Sequence, residues 1–247
     1  MTRFETCKIF YDNYYASQAS DKKNIQKMID IRYEHTMCVI KLAKVISKKE
    51  NLNVELTEII ALFHDLARAY QIKTYETLSD KDSIDHADYA VEILKKEHVL
   101  KDFTQLEQTI ILDAIQYHNK FIDNIPDVTK ESKPYVQLIR DADKIDIFRV
   151  VLSYQDLLQL SYTQNPTLDV VKQLVAGKQV LKSSMKNPTD DVLLKLSWMN
   201  ELYYTTSWNL LEKARYIEKL LAKLPPGCNE IKAYCTAKIS EKPLATL

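Results

Sequence analysis

Residues 59–68 read Ile59-Ile60-Ala61-Leu62-Phe63-His64-Asp65-Leu66-Ala67-Arg68, an apolar run interrupted by an adjacent histidine and aspartate. The apolar residues leave hardly any polar face, so the stretch predicts a central helix surrounded by others. Asn53 is the expected N-cap of that helix, and Glu55 in its first turn favours the dipole. A histidine and a carboxylate in such a run are costly to bury unless something pairs with them. A metal, a hydrogen-bond network, or exposure that the pattern disguises would each answer the cost.

Working outward, glycine is the most informative composition. Only Gly177 and Gly227 occur, and neither Gly nor Pro precedes Pro126. That suits helices and starves tight turns, so the expected fold is all-α. The same scarcity excludes a Walker loop and a dinucleotide fingerprint, which need several glycines beside phosphate. Phosphate chemistry here must use side chains or metal.

The 34 basic and 34 acidic residues cancel, so no global field favours nucleic acid or a membrane surface. Cys7, Cys38, Cys228 and Cys235 are widely spaced, without a C-x-x-C pair, which argues against a disulfide framework and a cysteine zinc site. No long apolar run follows Met1, so a cytoplasmic protein with free thiols is expected, and self-association is left open.

Helices are expected over 4–16 and 24–49. In the second, Ile31, His35, Cys38, Leu42, Val45 and Ile46 recur at steps of three and four, which turns His35 inward. The helix from Asn53 carries His64 and Asp65. A polar link from Gln71 to Asp82 precedes a helix opened by Ser83-Ile84-Asp85-His86. Thr104 and Glu107 form a capping box for a helix with Ile111, Ala114, Ile115 and His118 on one face. Residues 121–133 read as a loop containing Pro126. Pro134 suits the first turn of a helix running to about Leu158. Two or three amphipathic helices, broken near Pro188, are expected over 167–224, followed by a less regular tail from Pro225.

The chemistry-bearing residues fall in the order His35, His64-Asp65, His86, His118, Asp143. Imidazole with carboxylate suits Mn, Fe, Ni, Co or Zn, whereas calcium would use oxygen alone. A single inward histidine is more often a satisfied core residue than a ligand. The C-terminal aromatics Trp198, Tyr203, Tyr204 and Trp208 read as core, and His98 as a solvated helix-end residue.

The order H…HD…H…H…D, with Ser83-Ile84-Asp85-His86-Ala87, Tyr117-His118-Asn119-Lys120 and Arg140-Asp141-Ala142-Asp143-Lys144-Ile145-Asp146, resembles the HD-domain metal-dependent phosphohydrolase superfamily. The longer blocks look most like a bacterial branch whose members mostly lack an assigned substrate. The resemblance implies an HD-type helical bundle over residues 1–158, its motif region 33–151, with a helical extension over 159–247 packed on it. It implies one or two divalent ions, Mg included: His35, His64, Asp65 and Asp143 for the first, His86 and His118 for the second, Asp65 bridging. Asp143 is preferred to Asp141 because the Ala-Asp-Lys-Ile step fits the family pattern; Asp141 and Asp146 then become supporting partners.

The implied reaction is attack of a metal-activated hydroxide on phosphorus, with Asp65, Arg68 and Lys144 taking catalytic parts and Arg68, Lys120 and Lys144 clamping phosphate. A small phosphate-containing substrate, a nucleotide foremost, is expected, with no nucleic acid or membrane partner. Two departures are visible: many members have glycine soon after the His-Asp pair, and a double histidine where this chain has Tyr117-His118. The second bears on occupancy of the second ion. A mixed-valent di-iron oxygenase and a non-catalytic nucleotide-binding regulator are the alternatives.

Overall fold

The computed structural model describes residues 1–121, 125–154 and 162–241. All regular structure among them is helical: α1 (Arg3–Ser17), α2 (Lys23–Lys49), α3 (Val54–Phe63), α4 (Arg68–Tyr75), α5 (His86–Lys96), α6 (Gln105–Tyr117), α7 (Lys133–Ser153), α8 (Leu168–Val175), α9 (Pro188–Ser197), α10 (Thr205–Ala214), α11 (Tyr216–Leu221) and α12 (Asn229–Ser240). No described helix is long and apolar enough to cross a membrane. The chain divides into two compact units, Met1–Asp143 and Lys144–Leu247, the division falling inside α7.

In the first unit, α3 packs against α1, α2 and α6. Its Ile59, Ala61, Leu62 and Phe63 are wholly buried, as a helix without a polar face requires. The Asn53 side chain accepts from the backbone N–H of Leu56, and Thr104 and Glu107 form the capping box of α6. Arg3 ties the starts of these helices together by bonding to both Glu55 and Glu107.

The expected helix through residue 68 divides in two. α3 stops at Phe63, and i→i+3 bonds, Leu66 N to Phe63 O and Arg68 N to Asp65 O, turn the chain into α4. The His64 ring supplies a reason. Its Nδ1 donates to the Ala61 carbonyl at 2.8 Å, the acceptor that a continuing helix would give to the Asp65 N–H. The polar link expected from Gln71 therefore begins later, at the end of α4. Gln71 itself is buried, and its amide nitrogen donates to Asp80, Ser83 and the Ile84 carbonyl.

The second unit has its own core, in which Phe148, Val170, Leu174, Val192, Leu196, Trp208, Leu211, Leu220 and Ile231 meet. Pro188 opens α9, capped by Asn187. Four α-helices, α8 to α11, occupy the region where two or three were expected. The tail is regular as well, since α12 buries Ile231 and Cys235 one turn apart. The expected end of α7 near Leu158 lies outside the described residues.

Candidate metal centre

His35, His64, Asp65, His86 and His118 are all buried, and the Asp143 side chain keeps 15% exposure. His35 projects from the middle of α2. His64 and His118 are the C-caps of α3 and α6, Asp65 stands in the turn after α3, His86 is the first residue of α5, and Asp143 lies in α7. Most of the group thus sits at helix ends, where backbone direction changes and side chains from several elements converge.

His35 Nε2 lies 3.4 Å from His64 Nε2 and 3.1 Å from Asp143 Oδ1, with His64 Nε2 3.8 Å from the same oxygen. His86 Nε2 lies 3.1 Å from His118 Nε2. Asp65 faces both sets. Its Oδ2 is 3.8 Å from His35 and 3.9 Å from His64, while its Oδ1 is 3.2 Å from His86 and 3.8 Å from His118.

Two ligands about 2.1 Å from one ion stand about 3.0 Å apart at a right angle and about 3.4 Å apart at the tetrahedral angle. The imidazole pairs have those separations. His64 Nδ1 faces the Ala61 carbonyl and His118 Nδ1 the Ile115 carbonyl at 2.7 Å; a carbonyl only accepts, so each Nδ1 carries the proton. His86 Nδ1 is held by Asp80 at 2.8 Å, which again favours the Nδ1 proton. The His86 and His118 Nε2 lone pairs are therefore turned on one another, and that of His64 faces His35 Nε2, an arrangement that a cation in each place satisfies. The donor set fits a divalent transition metal.

Electrostatics leave the donors in ligating form. Burial is the largest influence on Asp65 and pushes its carboxyl up, yet the neighbouring His64, Arg68, His118 and His86 together hold it well below the carboxylate range. Burial likewise raises Asp143, and the adjacent His35 and His64 outweigh it and hold it well below the ordinary value. Burial lowers His118 and favours neutral imidazole.

The expected phosphate cations are each engaged. Arg68 donates to Gln71, the Leu78 carbonyl and Asp80, with Nε 3.4 Å from Asp65 Oδ1. Lys120 bridges Asp85 and Asp88. Lys144 belongs to the second unit, where it is buried and paired with Glu201. Asp146 pairs with Arg149 one turn on. Asp141 is buried and belongs to none of the metal-competent groups among the described residues.

Some residues around the centre carried no site assignment in the sequence. Arg32, one turn before His35, places Nη1 3.6 Å from Asp65 Oδ2; the i, i+3 relation was a usable signal. Asp80 lies in a polar link without periodicity, and nothing in the sequence marks it. Arg140 is almost fully buried, and its Nη1 donates to the carbonyls of Tyr117, His118 and Lys120, closing the end of α6 on which His118 sits. Tyr15 donates to the Asp65 carbonyl and so ties the turn to α1.

Among known proteins, the family model described as HD domain matches residues 32–147, a span that contains every residue of the centre. No curated protein and no solved structure matches the chain.

Proposed function

We propose that this chain, which carries an HD domain over residues 32–147, hydrolyses the phosphoester or phosphoanhydride bond of a small phosphorylated metabolite, with nucleotides the first candidates. The observation that carries the reading is the division of the Asp65 carboxylate, one oxygen toward His35 and His64 and the other toward His86 and His118. Such a centre suits a pair of divalent ions, held by His35, His64 and Asp143 on one side and His86 and His118 on the other. When bound, the metal supplies a water acidified toward neutrality and charge neutralisation for phosphate.

The chain's own residues do the rest. Asp65 and Asp143 remain anionic and so offer oxygen donors at neutral pH. The carbonyls of Ala61 and Ile115 keep the Nδ1 protons on His64 and His118, leaving Nε2 to ligate. Arg68 acts through its contacts with Asp65 and Asp80 and stabilises negative charge beside the centre. Lys120, with a side chain 21% exposed, is the cation we assign to phosphate, exchanging Asp88 for it. Lys144 would serve in the same way only by leaving Glu201.

The test is release of phosphate or pyrophosphate from a broad panel of phosphoesters and nucleotides by protein reloaded with Mn²⁺, Co²⁺, Ni²⁺ or Mg²⁺. Turnover that disappears in a His64→Ala/Asp65→Ala variant is the expected result, and no release with any metal overturns the reading. Oxygen uptake with iron and without phosphate release would move it to the di-iron oxygenase alternative.

A further inference from the structure

Asp80 lies in a short 3₁₀ turn between α4 and α5, in a stretch with no apolar pattern. Its carboxylate is nevertheless a point of convergence. His86 Nδ1 approaches its two oxygens at 2.9 and 2.8 Å, Arg68 Nη1 donates at 3.0 Å, Gln71 Nε2 at 2.9 Å and Asn119 Nδ2 at 3.1 Å. These partners come from α4, the start of α5 and the segment just after α6. Arg68 Nε also faces Asp65 Oδ1, and that same oxygen faces His86 Nε2 at 3.2 Å. Asp65, Arg68, Asp80 and His86 thereby close a ring in which acid and base alternate.

We propose that Asp80 is a positioning residue for one half of the metal centre, the half built on His86 and His118. It fixes the His86 ring with Nε2 toward Asp65, and through Arg68 it aims Asp65 Oδ1 at the same point. His35, His64 and Asp143 take no part in the ring, and the other half is tied to it only through Asp65, whose Oδ2 faces His35 and His64. The inference rests on the two-ion reading above. Asp80, Asp85 and His86 could instead be taken as a cation site of their own, since donor atoms from each lie within 4.8 Å of one another. Arg68 and Lys120 already neutralise those carboxylates, and an ion there would take His86 Nδ1 away from its acceptor.

Partners that orient a metal-bound histidine typically contribute about 10–100-fold in metal affinity. The experiment is Mn²⁺ titration of the full chain by calorimetry, comparing wild type, Asp80→Asn, His118→Ala and the double variant. Asp80→Asn is expected to weaken one of two Mn²⁺ sites by about 10–100-fold and leave the other within about two-fold. In the His118→Ala background, where the half that Asp80 serves is already lost, the same substitution is expected to change the remaining site by less than about two-fold.

Two sites in the wild type, both weakened equally or neither weakened by Asp80→Asn, overturn the inference and leave the two-ion reading standing. A single site in the wild type overturns both. Should Asp80→Asn lose its helical circular dichroism, Asn119→Ala removes one donor to Asp80 and is expected to weaken the same single site more modestly; equal weakening of both sites, or of neither, then overturns the inference.

Discussion

His118 Nδ1 lies 2.7 Å from the carbonyl oxygen of Ile115, three residues back on the helix that His118 caps. His64 repeats the arrangement with Ala61 at the end of α3. In each case the imidazole satisfies a carbonyl that the end of the helix would leave without an N–H, and the same bond turns Nε2 outward. Helix termination and imidazole orientation are one event. On the proposed two-ion reading, His118→Ala should therefore remove a metal ligand and a cap together. Bound metal is expected to fall from two ions per chain to one, with turnover down roughly 100-fold or more, at or beyond the loss seen for orienting partners. Elemental analysis of dialysed protein, beside the assay on the phosphate panel, reads both.

Arg140 supports the same helix end from below. Its guanidinium takes the carbonyls of Tyr117, His118 and Lys120, none of which a hydrophobic replacement could satisfy. Arg140→Met is expected to cost on the order of 3 kcal/mol of folding stability, the consequence of leaving buried acceptors without donors. Arg140→Lys should recover only part of this, because all three bonds come from Nη1 and the shorter lysine side chain places its ammonium one atom short of that position. Urea unfolding with a constant m-value measures the difference.

These two positions also show what could be read from the sequence. The apolar face of α3, the Asn53 cap and the Thr104 box were legible because they are local patterns of side-chain type and spacing. The convergence of the histidines was legible through their order along the chain. The break after Phe63 was not, since it depends on which group wins the Ala61 carbonyl, and a propensity argument awards that carbonyl to the next turn of helix. Arg140 stood within a quoted motif, yet its partners are backbone atoms of residues 117–120, which leave no mark in side-chain pattern. Asp80 was hidden by the reverse condition: its partners are polar side chains, but its own segment has no period to place it. The helix α12 was missed because Pro225-Pro226-Gly227 announces a break, while only Ile231 and Cys235 supply its buried stripe.

Asp190, far along the chain in the second unit, makes a separate prediction about pH. It is wholly buried, and its oxygens accept from the backbone N–H groups of Thr167, Lys186 and Asn187 and from the Thr167 hydroxyl. Burial pushes its carboxyl up, but these bonds outweigh burial and hold it below the ordinary value. A depressed folded pKa contributes stability above the unfolded value near 3.9, and that contribution is lost as pH falls through the folded pKa. Asp190→Asn sets an amide N–H against at least one backbone N–H donor and should cost about 2–3 kcal/mol at pH 7. The gap between variant and wild type is expected to shrink in unfolding curves taken from pH 5 downward; a gap that stays constant with pH would contradict the assignment.

His98 follows the C-cap of α5, Glu97, in a left-handed conformation, with φ +50°. Its N–H donates to the Lys95 carbonyl and that of Val99 to Leu94, the pattern of a Schellman cap in which glycine is the usual residue. A chain with two glycines fills such caps with side chains that resist them, at a cost of roughly 1–2 kcal/mol for an L-residue. The exposed imidazole of His98 takes no part in the metal centre. His98→Gly relieves the backbone strain but gives back some freedom to the unfolded chain, a loss of about 0.5–1 kcal/mol. The net expectation is a gain on the order of 0.5 kcal/mol with unchanged metal content. A thermal melt in which the variant unfolds below wild type would show that the imidazole contributes more than its backbone angle costs.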